Sequence, residues 1–140
     1  MKSFFLIIPF CILLTLKSYA CDCDGEEISV EAAFKESEII LIGTVISFED
    51  LKNDKTENDF WIIKFEISEV FKGEFNQTTI DIVAESTDCG GDFLIGNSYL
   101  VYSFMNKELE MNEYHQCFKS AKQMGEANKD IERLRLLRKN

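Results

Sequence analysis

Ile39-Ile40-Leu41-Ile42-Gly43-Thr44-Val45-Ile46 is the stretch on which the fold turns. It is β-branched and apolar at both odd and even positions, the pattern of a strand covered on both faces. Gly43 within it marks a bulge or a bend, as tightly closed sheets need. Downstream, Leu51 to Asp59 is polar and charged and reads as a loop. Trp61, Ile63, Phe65 and Ile67 then alternate with Ile62, Lys64, Glu66 and Ser68, a half-exposed second strand. The alternation slips a phase at Glu69-Val70, which predicts a second bulge, and Lys72-Gly73 ends the strand.

Thr78, Ile80, Ile82 and Ala84 alternate with Thr79, Asp81, Val83 and Glu85 in a third strand. A fourth covers Ser98 to Phe104, with Leu100, Tyr102 and Phe104 on one side. A short fifth is predicted at Leu109 to Asn112, joined to the fourth by a turn at Asn106-Lys107. Strands this numerous, with short turns and no helices between them, indicate an all-β sandwich or barrel. Upstream of the decisive strand, Ser29 is placed to N-cap a short helix over Val30 to Glu36. In the tail, Ala127, Ile131 and Leu134 form one helical stripe that Leu137 extends, and Ser120-x-x-Gln123 matches a capping box.

Residues 1–20 stand apart from this domain. Lys2 supplies a positive start, Phe4 to Leu16 an apolar run, and Ser18-x-Ala20 the small residues favoured at a signal-peptidase cut. The run is shorter than the roughly 20 residues that a spanning helix needs. A signal peptide over 1–20 and a single domain over 21–140 are therefore expected, with a secreted, extracellular or periplasmic location. The whole chain carries a net charge of −10, and loss of Lys2 and Lys17 would move it two units further negative. Such a surface disfavours nucleic acid and anionic lipid. Arg133, Arg135, Arg138 and Lys139 read as a solvated helix end complementing the helix dipole.

Cys21, Cys23, Cys89 and Cys117 remain after the cut. An even number in an exported domain points to disulfides, and four cysteines allow three pairings. Cys21 and Cys23 are poor partners for each other because so small a ring is strained. Each is then expected to reach across the fold to Cys89 or Cys117. The rival is a structural zinc set of Cys21, Cys23, Cys89, Cys117 and His115, whose spacing is not that of the common ribbons or fingers. Bacterial lipidation would also use a cysteine directly after the cut, although Ser18 stands where such signals usually carry an aliphatic residue. Membrane attachment is expected only in that case. His115 is the sole histidine, no nucleophile motif is present, and Cys89-Gly90-Gly91 lacks the spacing and lysine of a phosphate loop. Neither an enzyme nor a cofactor is expected. Asn76-Gln77-Thr78, a glycosylation triplet in form, reads as a turn.

Taken in order, these residues resemble a known family. A start at Cys21-x-Cys23 is followed by a helix containing Ala33-Phe34 and by Ser37-Glu38-Ile39-Ile40-Leu41-Ile42-Gly43-Thr44-Val45. Then come Val70-Phe71-Lys72-Gly73, Cys89-Gly90-x-x-Phe93-x-x-Gly96-x-x-Tyr99-Leu100-Val101-Tyr102, and Cys117. The pattern is similar to the netrin-like domain, specifically its tissue-inhibitor-of-metalloproteinase (TIMP-like) branch, across residues 21 to about 137. The resemblance implies a five-stranded, OB-fold-like Greek-key barrel with a short N-terminal helix and a C-terminal helix packed on it. It implies the bridges Cys21–Cys89 and Cys23–Cys117. It further implies inhibition of a zinc metalloprotease, the α-amine and carbonyl oxygen of Cys21 chelating the catalytic zinc of the target in trans. Asp22 would point into the specificity pocket, Cys23-Asp24 would continue the wedge, and Ser86-Thr87-Asp88 would form the second half of an inhibitory ridge. Asp22 stands where the matrix-protease inhibitors carry a small hydroxylic residue, which directs the expectation to a protease with a basic pocket. The alternative is a non-inhibitory netrin-like module that binds another extracellular protein.

Overall fold

A computed structural model describes residues 21–52 and 59–139; the expected signal peptide and most of the expected loop at Leu51 to Asp59 lie outside the described residues. Helix α1 spans Val30–Glu36, strand β1 Ile39–Leu51, β2 Phe60–Lys72, β3 Thr79–Glu85, β4 Ser98–Asn106, β5 Met111–Tyr114 and β6 Lys122–Gln123, and helix α2 spans Asn128–Leu137. A single 3-10 turn covers Asp88–Gly90. The sheet order is β1-β2-β3-β5-β4-β6, and β1 also pairs with β4, so five strands close into a ring. Every pairing is antiparallel except β3 with β5. This is a closed all-β barrel of OB type carrying two helices.

The decisive stretch is covered on both sides from Ile39 to Ile42, as its composition predicts, whereas Ile46 at its end is exposed. Ile39, Leu41 and Val45 face the barrel interior with Ile63, Phe65, Ile82, Ala84, Val101 and Tyr114. Ile40 and Ile42 face outward, under α1 and α2, against Ala33, Phe71, Leu100, Tyr102, Ile131 and Leu134. Burying each of the larger side chains contributes about 1.5–3 kcal/mol. Gly43 sits where a Cβ would lie 2.9 Å from that of Phe65, so β1 and β2 approach too closely there for a side chain. The register shifts between Ile42 and Gly43, whose partners are Glu69 and Ile67, leaving Ser68 as an extra residue in β2. That bulge is the phase slip read in the sequence: Ile67 packs on the interior cluster, and so does Val70 three residues on.

Helix α1 has the predicted bounds, with Ser29 accepting a hydrogen bond from the Ala32 N–H. Its C-terminal carbonyls, Phe34 O and Lys35 O, accept from Lys72 Nζ at 2.8 and 3.0 Å, a cation at the negative end of the helix. Three expectations need correction. Strand β5 begins at Met111, not Leu109, because Lys107–Glu110 is a turn: Asn106 Oδ1 accepts from the N–H of Glu108 and of Leu109, and Glu110 has φ 52°. Ser120-x-x-Gln123 is not a capping box; Gln123 lies in β6, paired with Tyr99, and α2 starts after Ala127 without a side-chain cap. The tail arginines are not merely solvated. Arg133 pairs with Glu31, Arg135 and Arg138 pair with Glu69, and Arg138 donates to Val70 O while lying 5.5 Å from the Phe71 ring. They tie α2 to α1 and β2. Asn76 to Thr78 is an exposed bend between β2 and β3, as read.

Candidate functional site: the bridged edge of the barrel

The parallel pairing of β3 and β5 builds the site. Val83 is level with Glu113 and Ala84 with Tyr114, so the two strands leave the barrel at the same end. Cys89, four residues beyond β3, and Cys117, three beyond β5, are thereby brought side by side, and Gln116 N–H donates to Cys89 O at 3.0 Å. In extended chain, residues two apart point the same way. Cys21 and Cys23 accordingly both turn toward the barrel end, while Asp22 between them is exposed. The structure bridges Cys21 to Cys89 and Cys23 to Cys117, with Cα separations of 4.9 and 5.2 Å. These are the two pairs that the resemblance implies. The bridges span 68 and 94 residues of sequence. Loops of such length give each bridge on the order of 4 kcal/mol through lost freedom of the unfolded chain.

Each strand exit is shaped locally. Thr87 caps the 3-10 turn, its Oγ1 accepting from Cys89 N–H at 3.3 Å and donating to Glu85 Oε2. Gly90 is buried, and a Cβ there would lie 1.9 Å from Glu85 O, so only glycine lets the turn fold back on the end of β3. The Ser86 N–H and hydroxyl both donate to Asp59 O, holding Ser86 against the start of β2, and Thr87 and Asp88 are exposed beyond it. On the other exit, His115 Nδ1 accepts from Cys117 N–H at 3.1 Å. Glu113 is buried beneath it, hydrogen-bonded by Asn106 Nδ2 at 2.6 Å. Burial pushes the Glu113 carboxyl above the usual carboxylate range, with nearby Glu85 adding to the effect.

One anchor escaped the sequence reading. Lys119 is buried, donates from Nζ to Ile28 O at 2.9 Å, and pairs with Glu27 at 3.3 Å; the Ser120 N–H donates to the same carboxylate. The chain from Cys21 to Ile28 is therefore fixed at both ends, by sulfur bridges and by this clamp. A lysine in a polar connection carries no periodic or motif signal, and only its depth reveals it. Of the residues singled out from the sequence, Cys21, Cys23 and Ser86 are half-buried in this edge, and Asp22, Asp24, Thr87 and Asp88 are exposed. His115, Glu85 and Cys89 offer ligand atoms within 4.8 Å of one another. The His115 Nδ1 is already engaged by the Cys117 N–H, so of its two ring nitrogens only Nε2 faces away from a backbone donor.

No family model matches this chain, and no curated protein matches it. Among the described residues, no helix is long and apolar enough to cross a membrane.

Proposed function

We propose that this chain is an exported inhibitor of a zinc metalloprotease, acting through the α-amine and carbonyl oxygen of Cys21 once a cut follows Ala20. One observation carries the reading: both sulfurs of the Cys21-x-Cys23 segment are locked onto separate strand exits, so the segment starting at Cys21 is rigid while Asp22 stays exposed. A catalytic zinc keeps an open position normally held by water, and a neutral amine with an adjacent carbonyl can displace that water. A terminus ordered in advance loses little freedom on binding. Asp22 enters the specificity pocket and requires a cation there, since an unpaired buried carboxylate is costly. Asp24 and Ser86-Thr87-Asp88 complete the contact ridge. The role is stoichiometric binding, not turnover, and the setting is the extracellular or periplasmic space in which disulfides persist.

A second reading, a netrin-like interaction module without inhibitory action, is favoured by one surface feature. Ile46, Leu94 and Ile95 are 42%, 62% and 64% exposed, and the 94–97 turn is hydrogen-bonded to Val45. A cleft of about 330 Å³ lined by Phe48, Glu49, Asp50, Trp61 and Phe93 adjoins this turn through Phe93.

Selective carbamylation near neutral pH separates the two, because an α-amine titrates about two units or more below lysine. The exported protein is titrated into a panel of zinc endopeptidases before and after the reaction. Inhibition that disappears with the amine supports chelation. Full inhibition after complete carbamylation removes the mechanism, and no inhibition of any protease by the free-amine form leaves the module reading.

A further inference from the structure

The two bridges lie at one place. The Cys21 Sγ is 3.3 Å from the Cys117 Sγ, which belongs to the other bridge, and 3.9 Å from the Cys23 Sγ. The sulfurs of Cys21, Cys89 and Cys117 all lie within 4.8 Å of one another. Four sulfur atoms thus form a single node at the junction of three chain segments that arrive from residues 21–23, the β3 exit and the β5 exit.

A tetrahedral zinc with thiolate ligands has Zn–S distances of about 2.3 Å, which places neighbouring sulfurs roughly 3.8 Å apart. Two unbonded spacings, Cys21 to Cys117 at 3.3 Å and Cys21 to Cys23 at 3.9 Å, lie on either side of that value. The two bonded pairs, Cys21–Cys89 and Cys23–Cys117, would have to part. His115 cannot replace a sulfur through Nδ1 while Cys117 N–H holds that atom. Soft thiolates in a four-sulfur set select zinc over magnesium or calcium.

We propose that in its reduced form this node is a metal site, in which the thiolates of Cys21, Cys23, Cys89 and Cys117 bind one zinc-class divalent ion. Each bridge accepts two electrons and two protons from a dithiol, which is itself oxidised to a cyclic disulfide. The four resulting thiols then release four protons as the ion binds. The bound ion ties the same three segments that the bridges tie, so the edge keeps its shape in either redox state. This site uses the sulfur of Cys21, whereas the proposed inhibition uses its backbone amine and carbonyl, and neither depends on the other.

The test uses the exported protein with all four cysteines, reduced without oxygen by a water-soluble phosphine, which becomes its oxide with oxygen taken from water. Cobalt(II) serves as the spectroscopic probe and zinc(II) as the competitor. The expected result is one equivalent of cobalt bound with the intense visible and thiolate charge-transfer bands of a tetrahedral sulfur site. Zinc should displace it, and the circular dichroism of the folded barrel should be retained or regained on loading. His115→Ala should leave the bands unchanged. Cys23→Ser with Cys117→Ser, which preserves the other bridge before reduction, should abolish them. Absence of a stoichiometric band overturns the proposal. So does a band of equal strength in the chain unfolded by urea, which would be chelation without a site, or a band lost in the His115 variant, which would assign a different ligand set.

Discussion

The bridged edge and the helix-covered face are attached to the same barrel by opposite means. Under α1 and α2, Ile40, Ile42, Leu100, Tyr102, Ile131 and Leu134 bury apolar surface, and the ion pairs of Arg133, Arg135 and Arg138 lie around them. At the edge, Asp22, Asp24, Thr87 and Asp88 are exposed and bury nothing of their own. Covalent bonds and one buried lysine hold that region. Packing fixes a segment only by hiding its side chains. A segment whose side chains stay exposed has to be fixed otherwise, and here sulfur does it.

The largest break in this contrast comes from Cys23→Ser with Cys117→Ser. Losing that bridge should cost roughly 4 kcal/mol in urea unfolding. Amide exchange should quicken over residues 21–28 and 115–119 while α2 keeps its protection; equal loosening of α2 would show that the two regions are not held independently. Leu134→Ala tests the opposite side. It should cost about 3 kcal/mol through a cavity beneath α2 and leave exchange at residues 21–28 unchanged. Gly90→Ala should cost about 2 kcal/mol, because a Cβ cannot coexist with Glu85 O, and the displacement should fall on Asp88 and Cys89. A stable variant with unaltered Asp88 and Cys89 resonances would contradict the placement of the turn.

The smallest effects sharpen the comparison through pH. Hydrogen bonding from Arg135, joined by the charge of Arg138, holds the Glu69 carboxyl below the usual range. A lowered folded value means stability that is present above the unfolded carboxylate range and is lost as pH falls through the folded value. Glu69→Gln should therefore cost about 0.5–1 kcal/mol at neutral pH, with the difference vanishing in acid. Glu113 has the opposite sign. Its carboxyl is raised by burial, so it weakens the fold as pH rises from the unfolded carboxylate range through the folded value. Glu113→Gln should then stabilise the protein at neutral pH and make no difference well below that range. Thermal unfolding across pH checks both.

Much of the barrel was legible in the chain because its strands carry their own signals. The two-sided apolar run from Ile39 to Ile42, the slip at Glu69-Val70 and the Ala127-Ile131-Leu134 stripe each have one physical reading, and the structure places them accordingly, while Ile46 at the end of that run is exposed. Strand β6 was not legible, since two residues, Lys122 and Gln123, have no period to read. Leu109 misled for a related reason: an apolar residue in a turn looks like a strand start until the Asn106 side chain is seen capping that turn. At the edge, composition identified the cysteines, but only the parallel exit of β3 and β5 explains why Cys89 and Cys117 meet. The Lys119 clamp depends wholly on the tertiary fold.

The most direct measurement compares two forms of the chain, one beginning at Cys21 and one with a single alanine ahead of it, in inhibition of a zinc endopeptidase that the first form blocks. The extra residue leaves both bridges, the Lys119 clamp and the barrel in place and removes only the amine from Cys21. Inhibition weaker by about 100-fold or more, a loss of roughly 2.7 kcal/mol, is the expected result. Equal inhibition by the two forms would contradict a functional terminus at Cys21.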